Sequence, residues 1–341
     1  MVKKIAVLGT GANGSCIAAD LTNAGHDVTL IDQWPAHVEK MKADGLTINM
    51  ENATLEVKVR AEHMCDVCSL GEKYNVVFLT VKAFDARWMA EFIKPYLTDD
   101  GLLIGIQNGM TANDIAEIVG PHHTLGCAIE LSAELFDPGI IKRNTPPDRT
   151  WLGIGALEPS MEKRLAEIQE ILSDVGTVDI VENILSAKWM KLIINAMSMG
   201  LKGITNMTSG EIFQVSGMRD IMLRAGEETL TIGHELGYKN VPIAGLMPEE
   251  IEGTNRLCEL MLNQTTAHVG LTNKVAVLQD HLKGRYSEVN QINGFVADES
   301  EARGLEAPIN RAITEITKRI YAGELKPHPS NVALIQEALG I

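Results

Sequence analysis

After its opening serine, five polar side chains interrupt a stretch that is otherwise apolar almost all round, Ser186–Gly203 (SAKWMKLIINAMSMGLKG). Lys188, Lys191, Asn195, Ser198 and Lys202 recur at three- and four-residue spacings, so a helix here would gather them on roughly one face. Such a helix is expected to be buried. A buried ammonium is costly unless it is paired or used, and burial lowers its pKa toward the range in which it both gives and takes a proton. Lys191, between Trp189-Met190 and Leu192-Ile193-Ile194, is expected to be the most enclosed of the three lysines, whereas Lys188 and Lys202 can also be read as a solvated edge. A second polar run, Arg285-Tyr286-Ser287-Glu288-Val289-Asn290-Gln291-Ile292-Asn293-Gly294-Phe295, has two readings. Glu288 is either an acid favoured by the dipole of a helix start, or a carboxylate that holds a lysine across an interdomain cleft or binds a substrate hydroxyl.

A third group has chemistry in its backbone. Ile5–Leu8 is an apolar run, followed by Gly9-Thr10-Gly11-Ala12-Asn13-Gly14, a helix-permissive stretch, Gly25, and a second apolar run ending on Asp32. This is the pattern of a dinucleotide-binding βαβ unit. Gly9 supplies the tight turn, Gly11 lets the backbone approach a pyrophosphate, and Gly14 lets the helix pack on the strand. Asp32 falls where a carboxylate accepts hydrogen bonds from an adenosine ribose and repels a 2′-phosphate, which argues for NAD over NADP. It can also cap the turn Asp32-Gln33-Trp34-Pro35.

The remaining chain must position these groups. Leu46–Met50 and Thr54–Arg60 read as a small hairpin inserted after a helical stretch (His37–Ala43). Tyr74–Val81 reads as a buried parallel strand followed at once by Lys82, and Leu102–Ile106 as another ending in Gln107-Asn108-Gly109. Both polar endings thus lie at carboxyl ends of strands, the edge at which open α/β sheets bind ligands. Helices are expected over Asp85–Tyr96 and Ser160–Leu172, and strands over Leu125–Ile129, Ile140–Arg143, Thr150–Ile154 and Thr177–Val181. Beyond about Asn183 the pattern favours helix: Ser186–Gly203, Gly210–Gly237, Pro248–Asn263, Leu271–Gly284, Ser287–Arg303 and Pro308–Gly323. The expected fold class is α/β, with a Rossmann domain over 1–182 and an all-helical substrate and dimerisation domain over 183–341.

Composition narrows the partners. The chain has 341 residues, 45% of them hydrophobic, and a formal charge of −15, with no Lys/Arg-rich run to attract nucleic acid or an anionic membrane. Neither is expected as a partner. No apolar window is long enough to span a bilayer, and five irregularly spaced cysteines read as reduced thiols, so the expected location is cytoplasmic. Cys65-Asp66-Val67-Cys68 with His63 resembles half a zinc site, but no second ligand pair follows. No metal is expected.

The order GTGANG (9–14), TVKAFD (80–85), IQNG (106–109), KWMKLIINA (188–196) and SEVNQINGF (287–295) resembles the ketopantoate reductase family along essentially the whole chain. The resemblance implies a Rossmann domain followed by a helical domain related to that of 6-phosphogluconate dehydrogenases. It also implies hydride transfer from a nicotinamide cofactor, catalysed as a dehydrogenase or reductase acting on CH–OH groups. By the family pattern Lys191 matches the general acid, Asn195 and Asn108 match residues that orient substrate and cofactor, Lys82 matches the lysine near the nicotinamide end, and Glu288 matches the glutamate that binds the substrate hydroxyl.

Three positions depart from that pattern. Asp32-Gln33-Trp34 stands where NADP-preferring members carry an arginine, Met199 where an asparagine is expected, and Ala276 where a serine would hold the substrate carboxylate. The pattern resembles the NAD-dependent, D-2-hydroxyacid (D-mandelate-type) branch, acting on a small 2-hydroxy or 2-keto acid. The carboxylate contact then falls to Lys202, Lys274 or Asn273. The alternatives are a 2-dehydropantoate 2-reductase and a nucleotide-binding protein without catalysis. A homodimer is expected, because helical second domains in related folds often pair.

Overall fold

Along β1 (Lys4–Leu8), Ile5 and Val7 join one apolar cluster while Ala6 and Leu8 join another. The two-residue period of a strand sends a continuous apolar run to both faces, which is stable only where both faces are covered. A computed structural model describes residues 2–341, which divide into two units between Leu185 and Ser186. The first unit continues through α1 (Ala12–Asn23), β2 (Asp27–Asp32), α2 (Pro35–Asp44), β3 (Leu46–Asn49), β4 (Thr54–Val57), β5 (Arg60–His63), β6 (Tyr74–Leu79), α3 (Ala86–Ile93), β7 (Leu97–Gly105) and α4 (Ala112–Val119). It ends with β8 (Thr124–Glu130), β9 (Ala133–Asp137), β10 (Ile140–Arg143), β11 (Trp151–Ala156), α5 (Leu165–Leu172) and β12 (Thr177–Ile180).

The larger sheet has the order β12-β11-β8-β7-β6-β1-β2-β5, with every neighbouring pair parallel except β8 and β11. From β1 the chain runs outward through β2 and β5, then returns to the other side for β6, β7 and β8. The strand order therefore reverses between β1 and β6, and the crevice beyond their carboxyl ends is the place where such sheets bind ligands.

The expected hairpin is present as β3 and β4 but stops at Val57. Arg60 belongs to β5, which pairs parallel with β2 on the larger sheet. The hairpin joins β10 and β9 in a separate four-stranded sheet, order β4-β3-β10-β9, and β9 was not expected from the sequence. A buried ion pair ties this sheet to α1. Arg143 is 2% exposed and donates to Asp20 Oδ2 (2.6 Å), the Thr145 carbonyl (2.7 Å) and Thr150 Oγ1 (2.9 Å). Burial raises the Asp20 pKa and Arg143 opposes the rise.

The second unit is helical: α6 (Ile184–Thr205, which begins in the first unit), α7 (Ser209–Ile212), α8 (Met218–Glu235), α9 (Pro248–Ile251), α10 (Leu257–Val269), α11 (Ala276–Leu282), α12 (Asn293–Ala302), α13 (Pro308–Tyr321) and α14 (Val332–Leu339). Three expected helices are broken. Gly217, at φ +77°, separates α7 from α8, 252–256 separates α9 from α10, and Ile292 (φ −109°, ψ −88°) separates a four-residue 3₁₀ turn, Glu288–Gln291, from α12. Around α6 the packing is close. A Cβ on Gly200 would collide with Ile313, and one on Gly203 with Val277. Among the described residues no helix is long and apolar enough to cross a membrane, and no group of three or more His, Cys, Asp or Glu side chains could hold a metal.

Candidate active site

In the first unit the glycine loop links β1 to α1, and its three glycines have three different reasons. Gly9 has φ +91°, and a Cβ there would run into Val81 of the loop after β6. A Cβ on Gly14 would meet the Gly9 carbonyl and Thr80 Oγ1. Gly11 has a negative φ, is exposed, and a Cβ there would meet nothing within 4 Å. Protein packing does not require glycine at position 11. A ligand lying against the backbone would require it, and the first-turn N–H groups of α1 are donors of the kind that suit a pyrophosphate.

The loop is held from below. Thr80 Oγ1 donates to the Gly9 carbonyl (2.6 Å), and Ser15 Oγ donates to the Thr10 carbonyl (2.8 Å). His37 Nδ1 accepts from the Gly139 N–H (2.9 Å). Its proton therefore sits on Nε2, which donates to the Thr10 carbonyl (2.9 Å). Burial lowers the His37 pKa against the opposing pull of Asp32, consistent with a neutral ring that braces the loop. The sequence placed His37 on a helix without revealing this role. Ala12 and Asn13 open α1, and the Asn13 amide donates to the Leu131 carbonyl (3.2 Å).

Asp32 ends β2 and is 8% exposed. Its Oδ1 accepts from the Trp34 N–H (2.7 Å) and its Oδ2 from Thr10 Oγ1 (3.3 Å). The turn-capping contact is thus present, and it orients the carboxylate beside the glycine loop. Lys82 stands at the start of a 3₁₀ turn after β6. Asn108 follows β7 on a loop pinned by Gln107, whose Nε2 donates to the Leu79 carbonyl (2.6 Å). Thr10, Asp32, Lys82 and Asn108 all lie in loops or strand ends at the carboxyl edge of β1, β2, β6 and β7.

In the second unit α6 carries the polar stripe. Lys188 is 3% exposed, Asn195 1% and Lys202 4%, whereas Lys191 is only half-buried. The expectation that Lys191 is the most enclosed lysine is therefore corrected. Its neighbours in sequence lie about 100° away per residue around the helix, so their apolarity describes other faces and not its own. Trp189, by contrast, is a core anchor. It stacks on Tyr238 at 5.0 Å and donates from Nε1 to the Thr229 carbonyl.

Glu288 is buried at the head of the short 3₁₀ turn. A four-residue turn has too few aligned peptides for a dipole to account for a buried carboxylate. Its position is fixed through Ser287, whose Oγ lies 3.1 Å from His281 Nε2 and 2.6 Å from the Tyr321 hydroxyl, while His281 Nδ1 donates to the Gly203 carbonyl of α6 (2.9 Å). Asn293 is structural. Its amide donates to the Ala196 carbonyl and to Asn310 Oδ1, tying α12 to α6 and α13. Met199 is half-buried and Ala276 opens α11. Of the three carboxylate candidates, Lys274 is exposed while Lys202 and Asn273 are buried.

Comparison with known proteins agrees with this architecture. Residues 5–156 match the family model described as ketopantoate reductase PanE/ApbA, and residues 183–321 match its C-terminal counterpart. The chain is similar to a 2-dehydropantoate 2-reductase of Pyrococcus abyssi (28% identical, covering 92% of this chain and 97% of the relative). Among solved structures it resembles D-mandelate dehydrogenase with NADH and anilino(oxo)acetate, with TM-score 0.83, 22% identity, and 94% and 99% of the two chains covered. It also resembles a PanE/ApbA family ketopantoate reductase from Ralstonia eutropha JMP134, with TM-score 0.78, 24% identity, and 94% and 99% covered. The two matched models together run through both units in the family's order, and the chain belongs to the ketopantoate reductase family, whose members are oxidoreductases acting on CH–OH groups.

Proposed function

We propose that this oxidoreductase interconverts a 2-hydroxy acid and the corresponding 2-keto acid with NAD as cofactor. The Gly9–Gly14 loop and the first turn of α1 would hold the pyrophosphate, Asp32 the adenosine ribose, and Lys82 and Asn108 the nicotinamide end. A bound nicotinamide supplies the hydride in one direction and receives it in the other. Lys191 delivers a proton to the alkoxide oxygen as negative charge develops there, and its neutral form takes the proton back from the alcohol. Asn195, one helical turn further along α6, orients the same oxygen, and Glu288 accepts a hydrogen bond from a substrate hydroxyl. Support for this reading comes from α6: Lys191 is the partly open lysine in a stripe whose other members are buried.

Met199 and Ala276 have no side-chain hydrogen-bond donor, and a site lacking such groups discriminates poorly for a ligand that needs them. This favours a simpler 2-keto acid over ketopantoate. The second reading, a 2-dehydropantoate 2-reductase, is favoured by the name of the Pyrococcus abyssi relative and others like it. Steady-state assays at the NADH absorbance band, with ketopantoate, phenylglyoxylate and 2-ketoisocaproate, decide between them. The expected result is a higher kcat/KM with NADH than NADPH, and with a simple 2-keto acid than with ketopantoate. A kcat/KM for ketopantoate equal to or above the best alternative establishes the second reading. Asp32→Ala is expected to weaken NAD and narrow its advantage over NADP.

A further inference from the structure

We infer that Lys202 and Asn273 form a carboxylate-binding subsite at the C-terminal end of α6, and that this subsite selects acids as substrates. The inference rests on the proposed 2-hydroxy acid chemistry and adds the group that recognises the acid.

Lys202 is 4% exposed, and its only hydrogen bond among the described residues runs from Nζ to Ser209 Oγ (2.6 Å). No carboxylate pairs with it there, and burial alone lowers its pKa, to about 8. An ammonium has three donors. One reaches a neutral hydroxyl, which does not offset the charge, and a lone buried charge is among the most costly features a fold can keep. A carboxylate ligand would neutralise it and accept the remaining N–H groups.

A second buried polar group lies on the neighbouring segment. Gly210, next to Ser209, donates its N–H to the Leu271 carbonyl (2.9 Å). Six residues later Val277 occupies the space that a Cβ on Gly203 would fill. The stretch from Leu271 to Val277 thus begins beside Ser209 and ends beside Lys202's neighbour on α6. Asn273 lies on that stretch, 5% exposed, and its buried Oδ1 has no hydrogen-bond partner among the described residues. Its amide N–H₂ is a donor for a second carboxylate oxygen. Ala276, three residues on, supplies no such donor, so the charge of Lys202 replaces a hydroxyl as the means of recognition. The bound group is either the carboxylate beside the reacting carbon or one at the far end of a dicarboxylic substrate.

Calorimetric titration of the full chain in the presence of NADH tests this with two unreactive probes, oxamate as the monoacid and N-oxalylglycine as the diacid. Lys202→Met is expected to weaken at least one probe by about 10- to 100-fold, the usual scale for losing a charged hydrogen bond. Lys202→Arg should retain most of the affinity, and binding of the uncharged oxamide should be unchanged in all three proteins. Loss confined to N-oxalylglycine assigns the distal carboxylate; loss of both assigns the one beside the reacting carbon. Binding of neither probe to the wild type, or equal binding to wild type and Lys202→Met, overturns the inference. Turnover of 2-ketoisocaproate by the wild type reports separately on the oxidoreductase reading, so a failure of one is distinguishable from a failure of the other.

Discussion

Replacing Lys202 by methionine should stabilise the protein, and by an amount that depends on pH in a stated direction. Burial disfavours the charged form of Lys202 and pushes its pKa down from the ordinary 10.5 to about 8. Below pH 8 both the native and the unfolded chain carry the proton, and the native state bears the full penalty. A difference of about 2.5 pKa units corresponds to roughly 3 kcal/mol. Between pH 8 and 10.5 the unfolded chain holds the proton while the native lysine has released it. The unfolded state then binds more protons, stability rises with pH, and the penalty fades. Methionine has similar length and no charge, so it removes the penalty at every pH and gives up only the bond to Ser209, worth about 1 kcal/mol. Urea unfolding of both proteins at pH 7 and pH 9.5, followed by circular dichroism, measures the gap, and subtracting one protein from the other cancels every other titrating group. The expected gain is about 2 kcal/mol at pH 7, shrinking to near zero by pH 9.5. A methionine variant less stable than wild type at pH 7, or a gap that does not change with pH, refutes the account of Lys202 as a buried charge without a counter-ion.

Lys191→Ala should lower turnover by about 10²–10⁴-fold with cofactor affinity near normal; if Lys188→Ala does this and Lys191→Ala does not, the acid has been assigned to the wrong lysine. Gly11→Ala should leave the urea midpoint unchanged and weaken NAD binding, whereas Gly9→Ala should lower the midpoint, since its φ is +91° and Val81 blocks a side chain; equal effects of the two on stability would contradict the distinction. Arg143→Met should cost about 3–5 kcal/mol in the same unfolding assay by stranding Asp20, and pairing it with Asp20→Asn should recover a large part of the loss.

The parts of the fold that were readable are those fixed by one segment's own geometry. Gly9, Gly11 and Gly14 announced the loop because each backbone constraint is local, and β1, β6 and the Leu102–Gly105 part of β7 announced themselves as near-continuous apolar runs, whereas the exposed Asp99 and Asp100 read as the end of a helix although they belong to the same strand. What was not readable depends on two distant segments meeting. Arg143 at the end of a short strand and Asp20 in the middle of α1 are ordinary in their own contexts, and only the folded chain brings them to 2.6 Å. The second sheet escaped for the same reason: β10, with β9 on its other side, finds β3 across some ninety residues of chain. The stripe on α6 shows where the limit falls. Spacing alone put Lys188, Lys191, Asn195 and Lys202 on one face, but the degree of burial along that face is set by what packs on it, as Ser209 does at Lys202. Lys202, nearly inaccessible and hydrogen-bonded among the described residues only to a neutral hydroxyl, costs the helix stability, and a lysine kept at that cost is the mark of a charge reserved for something that binds.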